Sequence, residues 1–366
     1  MDRKLNDAEK RGIVEEFLKG NEESAAFISL YSDLCYVSND FYVNINDRHE
    51  LVDLSHSQVP EASRFIKSHA LISRRKLQAD LSKHFDKPIS LRGADTLTTM
   101  TVQLMLMLDP NAKSRDPGTS TMKHHDAVSW EADETLVSFV ERALNSIRET
   151  TSPRSANNLR DNNLIKAWKL RDRLGIRICS TDNIAEHLLS DGKENIFVFH
   201  HASFLKSQLK RAKAEGLQLR TNLADSLKAG ILPPQFLLET LHSIQDVLFP
   251  YQDHSSKVFL KGLVRGSKFD SECMNYELYE YDVSTDFKYI YWQDRIENLH
   301  SLLDQRRGRN RLERAFERLG TQANAFVIAI FALIISIVVG IISIALSAAQ
   351  LYISLMAWKH PVPQNS

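Results

Sequence analysis

Residues 325–349 read AFVIAIFALIISIVVGIISIALSAA, without one charged side chain. As a helix at 1.5 Å per residue this stretch reaches roughly 37 Å, enough to cross a hydrocarbon layer about 30 Å thick with modest tilt. Apolar side chains continue through Leu351, Ile353, Leu355 and Trp358. Two crossings, however, need at least about 36 apolar residues plus a polar turn, and no such turn is present. The reading is one transmembrane helix over 325–349 and a short tail over 350–366.

Working outward, residues 1–324 are ordinary globular sequence. The 366-residue chain is 43% hydrophobic and 25% charged, which excludes a disordered chain and leaves ample length for a buried core. Formal net charge is zero. No global pull toward nucleic acid follows, and no nucleic-acid partner is expected. The N-terminal MDRKLNDAEKRGIVEEFLKG lacks the apolar core of a secretory signal. Cys35, Cys179 and Cys273 are odd in number and far apart, which reads as reduced cytosolic thiols rather than a disulfide framework.

Charge sets the expected orientation. Arg306, Arg307, Arg309, Arg311, Arg314 and Arg318 stand before the span against Asp304, Glu313 and Glu317, while only Lys359 and His360 follow it. The positive-inside bias places the N-terminal body in the cytosol, as a single-pass, tail-anchored membrane protein. The arginines either contact anionic lipid head groups or only set topology and solvate a helix. Within the span, Ala332, Ser336, Gly340, Ser343 and Ser347 recur at spacings of 4, 4, 3 and 4. They line one face on which membrane helices pack closely, implying a homo-oligomer or a membrane protein partner besides lipid. The plainer reading is that small residues are common in any membrane helix.

Upstream, Tyr289, Trp292, Ile296, Leu299 and Leu303 follow a 3-4-3-4 spacing, and Leu312, Phe316, Leu319 and Ala323 resume it. This stalk, residues 286–324, either pairs with copies of itself as a coiled coil or docks on the body. The body reads as a helical region over 1–150 and a mixed α/β region over 151–285. Helical periodicity is clear in 94–108 and 132–147, where Leu136, Phe139, Val140, Ala143, Leu144 and Ile147 share a face. Residues 109–126 read as a flexible loop and 149–163 as an internal linker. Strands are expected at 176–180 and 195–200, with a helix between them capped at Ser180 or Thr181 and closed by Asp191 and Gly192. Helices follow over 201–216 and 232–250, the latter with prolines before its first turn. Residues 275–283 read as an edge strand. The fold class is mainly α with a small β component (α+β), its stalk helix continuing into the transmembrane helix.

The strings RLGIRICSTDNIAEHLL (173–189), IFVFHHASFLKSQL (196–209), LPPQFLLETLHSIQDVLFP (232–250) and YWQDRIENL (291–299) resemble a group of filamentous-fungal proteins with a soluble region and one C-terminal membrane helix. That resemblance implies fungal origin and architecture but no chemistry. A remoter similarity is to CorA-type divalent-cation channels, which also run a long helix from a cytosolic domain into the membrane. Their second span and Gly-Met-Asn loop are missing here, so their function does not transfer.

Each chemical candidate has a plain structural alternative. His124, His125 and Asp126 cluster in the polar loop, and His200 with His201 ends an expected strand; imidazole and carboxylate ligate metals and carry protons. Neighbours in a strand point to opposite faces, so His200 and His201 are not expected to share an ion. Cys179 and His201 become neighbours if the two strands pair in parallel, which would make a thiol–imidazole pair; a small buried hydrophobe is the alternative. Gly262, Gly266, Ser267 and Lys268 miss the phosphate-loop spacing by one residue, with Ser intervening. Tyr276, Tyr279, Tyr281, Tyr289, Tyr291 and Trp292 make an aromatic patch for a ligand, a lipid or the core. The reading has no catalytic residue, no metal ligand and no cofactor. It favours a non-enzymatic, self-associating membrane-anchored interaction protein, with a CorA-like oligomer or a membrane-surface enzyme as alternatives.

Overall fold

The structure, a computed structural model, describes residues 5–19, 24–40, 54–112, 128–148, 165–191, 194–277, 279–281, 287–305 and 325–359. The chain divides into two units, Met1–Gln305 and Arg306–Ser366. The fold is mainly α with one small sheet.

Among the described residues, the first unit begins with helices α1 Asp7–Leu18, α2 Ala25–Asp40, α3 Gln58–Ser68, α4 Arg74–His84, α5 Leu91–Leu106 and α6 Leu136–Arg148. Asn6 and Glu9 form a reciprocal capping box that starts α1. Helix α5 opens where the Ser90 hydroxyl accepts from Gly93 N–H. On α6 all six residues of the expected face are buried. Helices α3 and α4 both pack on α5.

Next come α7 Ala167–Leu174, β1 Arg177–Thr181, β2 Leu189–Ser190, β3 Asn195–Phe199 and α8 Ala202–Ala214. Strand β3 is central, parallel to β1 and antiparallel to β2. The two longer strands fall where expected, but the helix between them does not form. Strand β1 continues through Thr181, Asn183 caps a single 3-10 turn Ile184–Glu186, and β2 follows. The carbonyls of Ala185 and His187, which a helix would have used internally, instead accept from the Arg295 guanidinium at 2.8 and 2.6 Å.

The unit closes with α9 Leu223–Lys228, α10 Pro234–His242, α11 His254–Arg265 and α12 Gln293–Gln305. Helix α10 starts on Pro234 as expected and then widens into a π-helical segment, Ser243–Leu248. The edge strand expected at 275–283 is absent among the described residues. Its tyrosines fasten an irregular segment to the body instead: Tyr276 donates to Phe249 O at 2.6 Å, Tyr281 to Leu217 O at 2.8 Å, and Tyr279 to the Asp246 carboxylate.

One core runs from Ile13 to Leu303. The described part of the stalk belongs to it, since Tyr289, Trp292, Ile296, Leu299 and Leu303 are all buried there. These a- and d-type positions are used inside one chain, so they give no coiled coil. The linker at 149–163, Leu312, Phe316, Leu319 and Ala323 lie outside the described residues.

Among the described residues of the second unit, helix α13 covers Ala325–Lys359. Its Ile335–Met356 segment is long and apolar enough to cross a membrane. The helix continues ten residues past the expected end at Ala349 because Gln350 is the only interruption before Leu351, Tyr352 and Ile353.

Candidate functional site

The parallel pairing of β1 with β3 brings their C-terminal ends together, the place where α/β sheets present ligating side chains. Asp182 leaves β1 there, and His200 and His201 leave β3. His200 Nε2 lies 3.2 Å and His201 Nε2 2.6 Å from the same Asp182 oxygen, Oδ1. The two rings stack with centroids 4.1 Å apart. The expectation that they face opposite ways fails because β3 ends at Phe199. His201 already occupies the position before the first turn of α8, with φ −76° and ψ 71°.

Burial differs sharply across the trio: the His201 side chain is fully buried, whereas Asp182 is about half exposed. Burial alone would push the Asp182 carboxyl up, but hydrogen bonds from His200 and His201 outweigh it and hold the carboxyl well below its usual range. Burial lowers the His201 pKa against the opposing pull of Asp182. Nδ1 of neither His200 nor His201 has a hydrogen-bond partner.

The surrounding backbone is fixed. Cys273 Sγ donates to His200 O at 3.1 Å, and Leu205 N–H donates to His201 O at 3.2 Å. Asp270 accepts from Ser203 N–H at 2.9 Å and from its hydroxyl at 2.5 Å, capping α8 from a distant segment. Burial pushes the Cys273 thiol far up, leaving it protonated and inert.

Cys179 does not meet His201. In register it pairs with Phe197, and its Sγ points to Asn195 Oδ1 at 3.8 Å. Gly262 lies inside α11, and Gly266 and Ser267 end that helix, so no phosphate-type loop is formed. In the aromatic patch Tyr289, Tyr291 and Trp292 are core residues. Tyr289 bonds His242 Nδ1 at 2.6 Å, and Arg148 stacks 4.2 Å over Tyr291. Ser336, Gly340, Ser343 and Ser347 are exposed along α13. Ala332 belongs to the same helix. The six arginines from Arg306 to Arg318, and His124, His125 and Asp126, lie outside the described residues.

Two further buried polar networks were missed in the sequence. His187 is fully buried: its Nδ1 accepts Phe199 N–H at 3.1 Å, so Nε2 carries the proton and faces the Ser243 hydroxyl at 2.6 Å. The hydroxyl in turn donates to Thr240 O at 2.7 Å. This looks like a serine–histidine pair, yet the serine proton already has an acceptor and the histidine proton points at the serine oxygen. The chemistry of a nucleophile is absent.

The second network centres on Glu239, wholly buried on α10, which accepts the backbone N–H groups of Ile290, Tyr291 and Trp292. Its signal was a carboxylate inside the apolar run QFLLETLH, as that of Arg295 was a cation beside Trp292 and Ile296.

Burial, with the Arg295 charge adding to it, holds His187 well below its usual 6.5. The unfolded chain takes up a proton at this residue as pH falls through about 6.5 and the folded chain does not. Stability is therefore lost on acidification, by on the order of 1 kcal/mol from this group between pH 7.5 and 5.5. Denaturation midpoints over that range should fall in the wild type and fall less in His187→Asn; equal slopes would refute the assignment.

No family model matches the chain, and no curated protein and no solved structure matches it.

Proposed function

We propose that this chain is a membrane-anchored interaction protein without catalytic activity of its own, held by α13 with its body in the cytosol and self-associating through the small-residue face of the span. The observation that carries the reading is where apolar surface is left uncovered. Among the described residues, fourteen large apolar side chains of α13 are exposed, from Leu333 to Met356, against six in the whole first unit. A continuous apolar surface of that length needs lipid or protein around it. The cytosolic orientation rests on the arginine excess at 306–318, and self-association on Ser336, Gly340, Ser343 and Ser347. Within the body, His187, Ser243 and Glu239 hold backbone and helix ends together, which favours a scaffold over an enzyme.

A CorA-like conducting oligomer is disfavoured because Ile335–Met356 offers only hydroxyls and one amide to an ion. The chain should stay with membranes through alkaline extraction, and crosslinking in mild detergent should yield discrete oligomers that Gly340→Leu reduces at least several-fold. Release by alkali removes the anchor, and a monomer in both forms removes the packing face. Ion flux into liposomes bearing the protein should stay at background.

A further inference from the structure

We propose that Asp182, His200 and His201 form a binding site for a divalent transition-metal ion of the zinc type, bound by three side chains with a fourth position open to solvent or to a partner's side chain. The proposal is independent of the anchoring reading, since all three residues belong to the first unit. It reverses the sequence-based expectation that these histidines face apart.

Three observations support it. The first is convergence: one ligand atom from each residue lies within 4.8 Å of the other two, and both Nε2 atoms already contact Asp182 Oδ1 at 3.2 and 2.6 Å. Donor atoms bound about 2.0–2.1 Å from a tetrahedral ion sit roughly 3.3 Å apart. The shorter contact must open by about 0.7 Å, a movement available to the half-exposed Asp182 side chain. The longer one is already in place.

The second observation is preorganisation. His200 and His201 are held through their own carbonyls by Cys273 and by the first turn of α8. Asp182 follows directly on a paired strand, in a turn closed by the Thr181 hydroxyl on Glu186 at 2.7 Å and by Asn183 N–H on Thr181 at 3.2 Å. Ligands on rigid elements lose little freedom when an ion arrives.

The third is an incomplete polar network. Two imidazoles share one carboxylate oxygen, and the Nδ1 atom of each, His201 being wholly buried, is left without a partner. An ion held by both Nε2 atoms and the carboxylate would replace that sharing of a single oxygen, whereas the Nδ1 atoms point away from the ion and stay unpaired. Coordination through Nε2 moves each ring proton to Nδ1. No outer acceptor is seen for either proton, and outer-shell partners are each worth about 10- to 100-fold in affinity. The expected binding is therefore micromolar rather than nanomolar.

Ligand chemistry selects the ion. Two buried imidazoles and one carboxylate suit Zn2+ or Co2+ and are poor for Mg2+ or Ca2+, which prefer all-oxygen shells. The open position lies on the Asp182 side, the only exposed edge of the trio.

The test uses the purified full-length chain in detergent, stripped with chelator and titrated with Zn2+, and with Co2+ as a coloured probe. Expected is one Zn2+ per chain at micromolar affinity, a visible Co2+ band of low-coordinate type, and a higher melting temperature with zinc. Asp182→Asn keeps one acceptor oxygen but loses the charge that His200 and His201 contact, so it should lower the metal-free melting temperature modestly, bind at least ten-fold more weakly and gain no thermal stability from zinc. His200→Gln should do the same, while His124→Ala/His125→Ala should bind as wild type. The proposal is overturned by no stoichiometric uptake, by uptake that Asp182→Asn leaves unchanged, or by uptake lost in the His124/His125 variant.

Discussion

Replacing Glu239 with alanine is expected to destabilise the first unit by about 4 kcal/mol, among the largest effects a single substitution produces. Its Oε1 accepts Ile290 N–H at 2.7 Å and Gln235 Nε2 at 2.8 Å, and its Oε2 accepts Tyr291 N–H at 2.8 Å and Trp292 N–H at 3.2 Å. These N–H groups lead into the start of α12, where helical geometry supplies no internal partner. Alanine leaves three backbone donors without this acceptor, and those of Tyr291 and Trp292 are buried, each costing roughly 1–3 kcal/mol. One term works the other way. Burial raises the Glu239 carboxyl pKa, so a folded chain holding it ionised is penalised as pH rises above the ordinary glutamate range, and alanine removes that penalty. The net lies below the simple sum of the orphaned donors for this reason. Glu239→Gln keeps one acceptor oxygen and removes the charge, and should cost about half as much. Denaturant titration of the full-length chain checks both; a loss under about 1 kcal/mol for alanine would show that water replaces the carboxylate without difficulty.

The same residue shows what was legible in the sequence. Periodicity reports that a face is buried, and on α6 it named all six core residues. It does not report against what. Tyr289, Trp292, Ile296, Leu299 and Leu303 gave the correct buried face, and two partners fitted that face equally well, another copy or the chain's own body. The partner on the body side includes Glu239 and Thr240, some fifty residues away in sequence, and Thr240 Oγ1 accepts Trp292 Nε1–H at 2.8 Å. Residues 182–190 misled for a similar reason: the carbonyls of Ala185 and His187 are claimed by Arg295, and no local rule sees a guanidinium more than a hundred positions downstream. In the candidate metal site, parallel strand pairing entered only as a condition for bringing Cys179 to His201, and the two histidines were noticed. The error was one residue of strand length: with β3 ending at Phe199 rather than His200, alternation no longer applies and both rings turn to Asp182. Asp182 itself had a usable signal, a polar Ser-Thr-Asp-Asn cluster directly after an apolar run.

The largest effect of all is expected in the span, where Ile342→Lys combined with Leu346→Lys should prevent stable membrane insertion. Both side chains are exposed on α13 and stand one turn apart near the middle of Ile335–Met356. Isoleucine or leucine at the centre of an inserting helix contributes about −0.5 kcal/mol and lysine about +3 kcal/mol, so the pair shifts insertion by roughly 7 kcal/mol. Snorkelling gives little relief here, because a central lysine has about 15 Å of hydrocarbon to cross on either side. Two lysines near Met356 would reach the interface and should be tolerated, which makes Leu355→Lys with Met356→Lys the matched control. The central variant should leave the alkali-resistant membrane pellet and appear in the soluble or aggregated fraction, while the control remains in the pellet. If both stay with the membrane, α13 is held there by protein rather than by lipid. The uncovered apolar side chains from Leu333 to Met356 would then mark a protein-binding helix, and the anchoring account would give way to one of assembly.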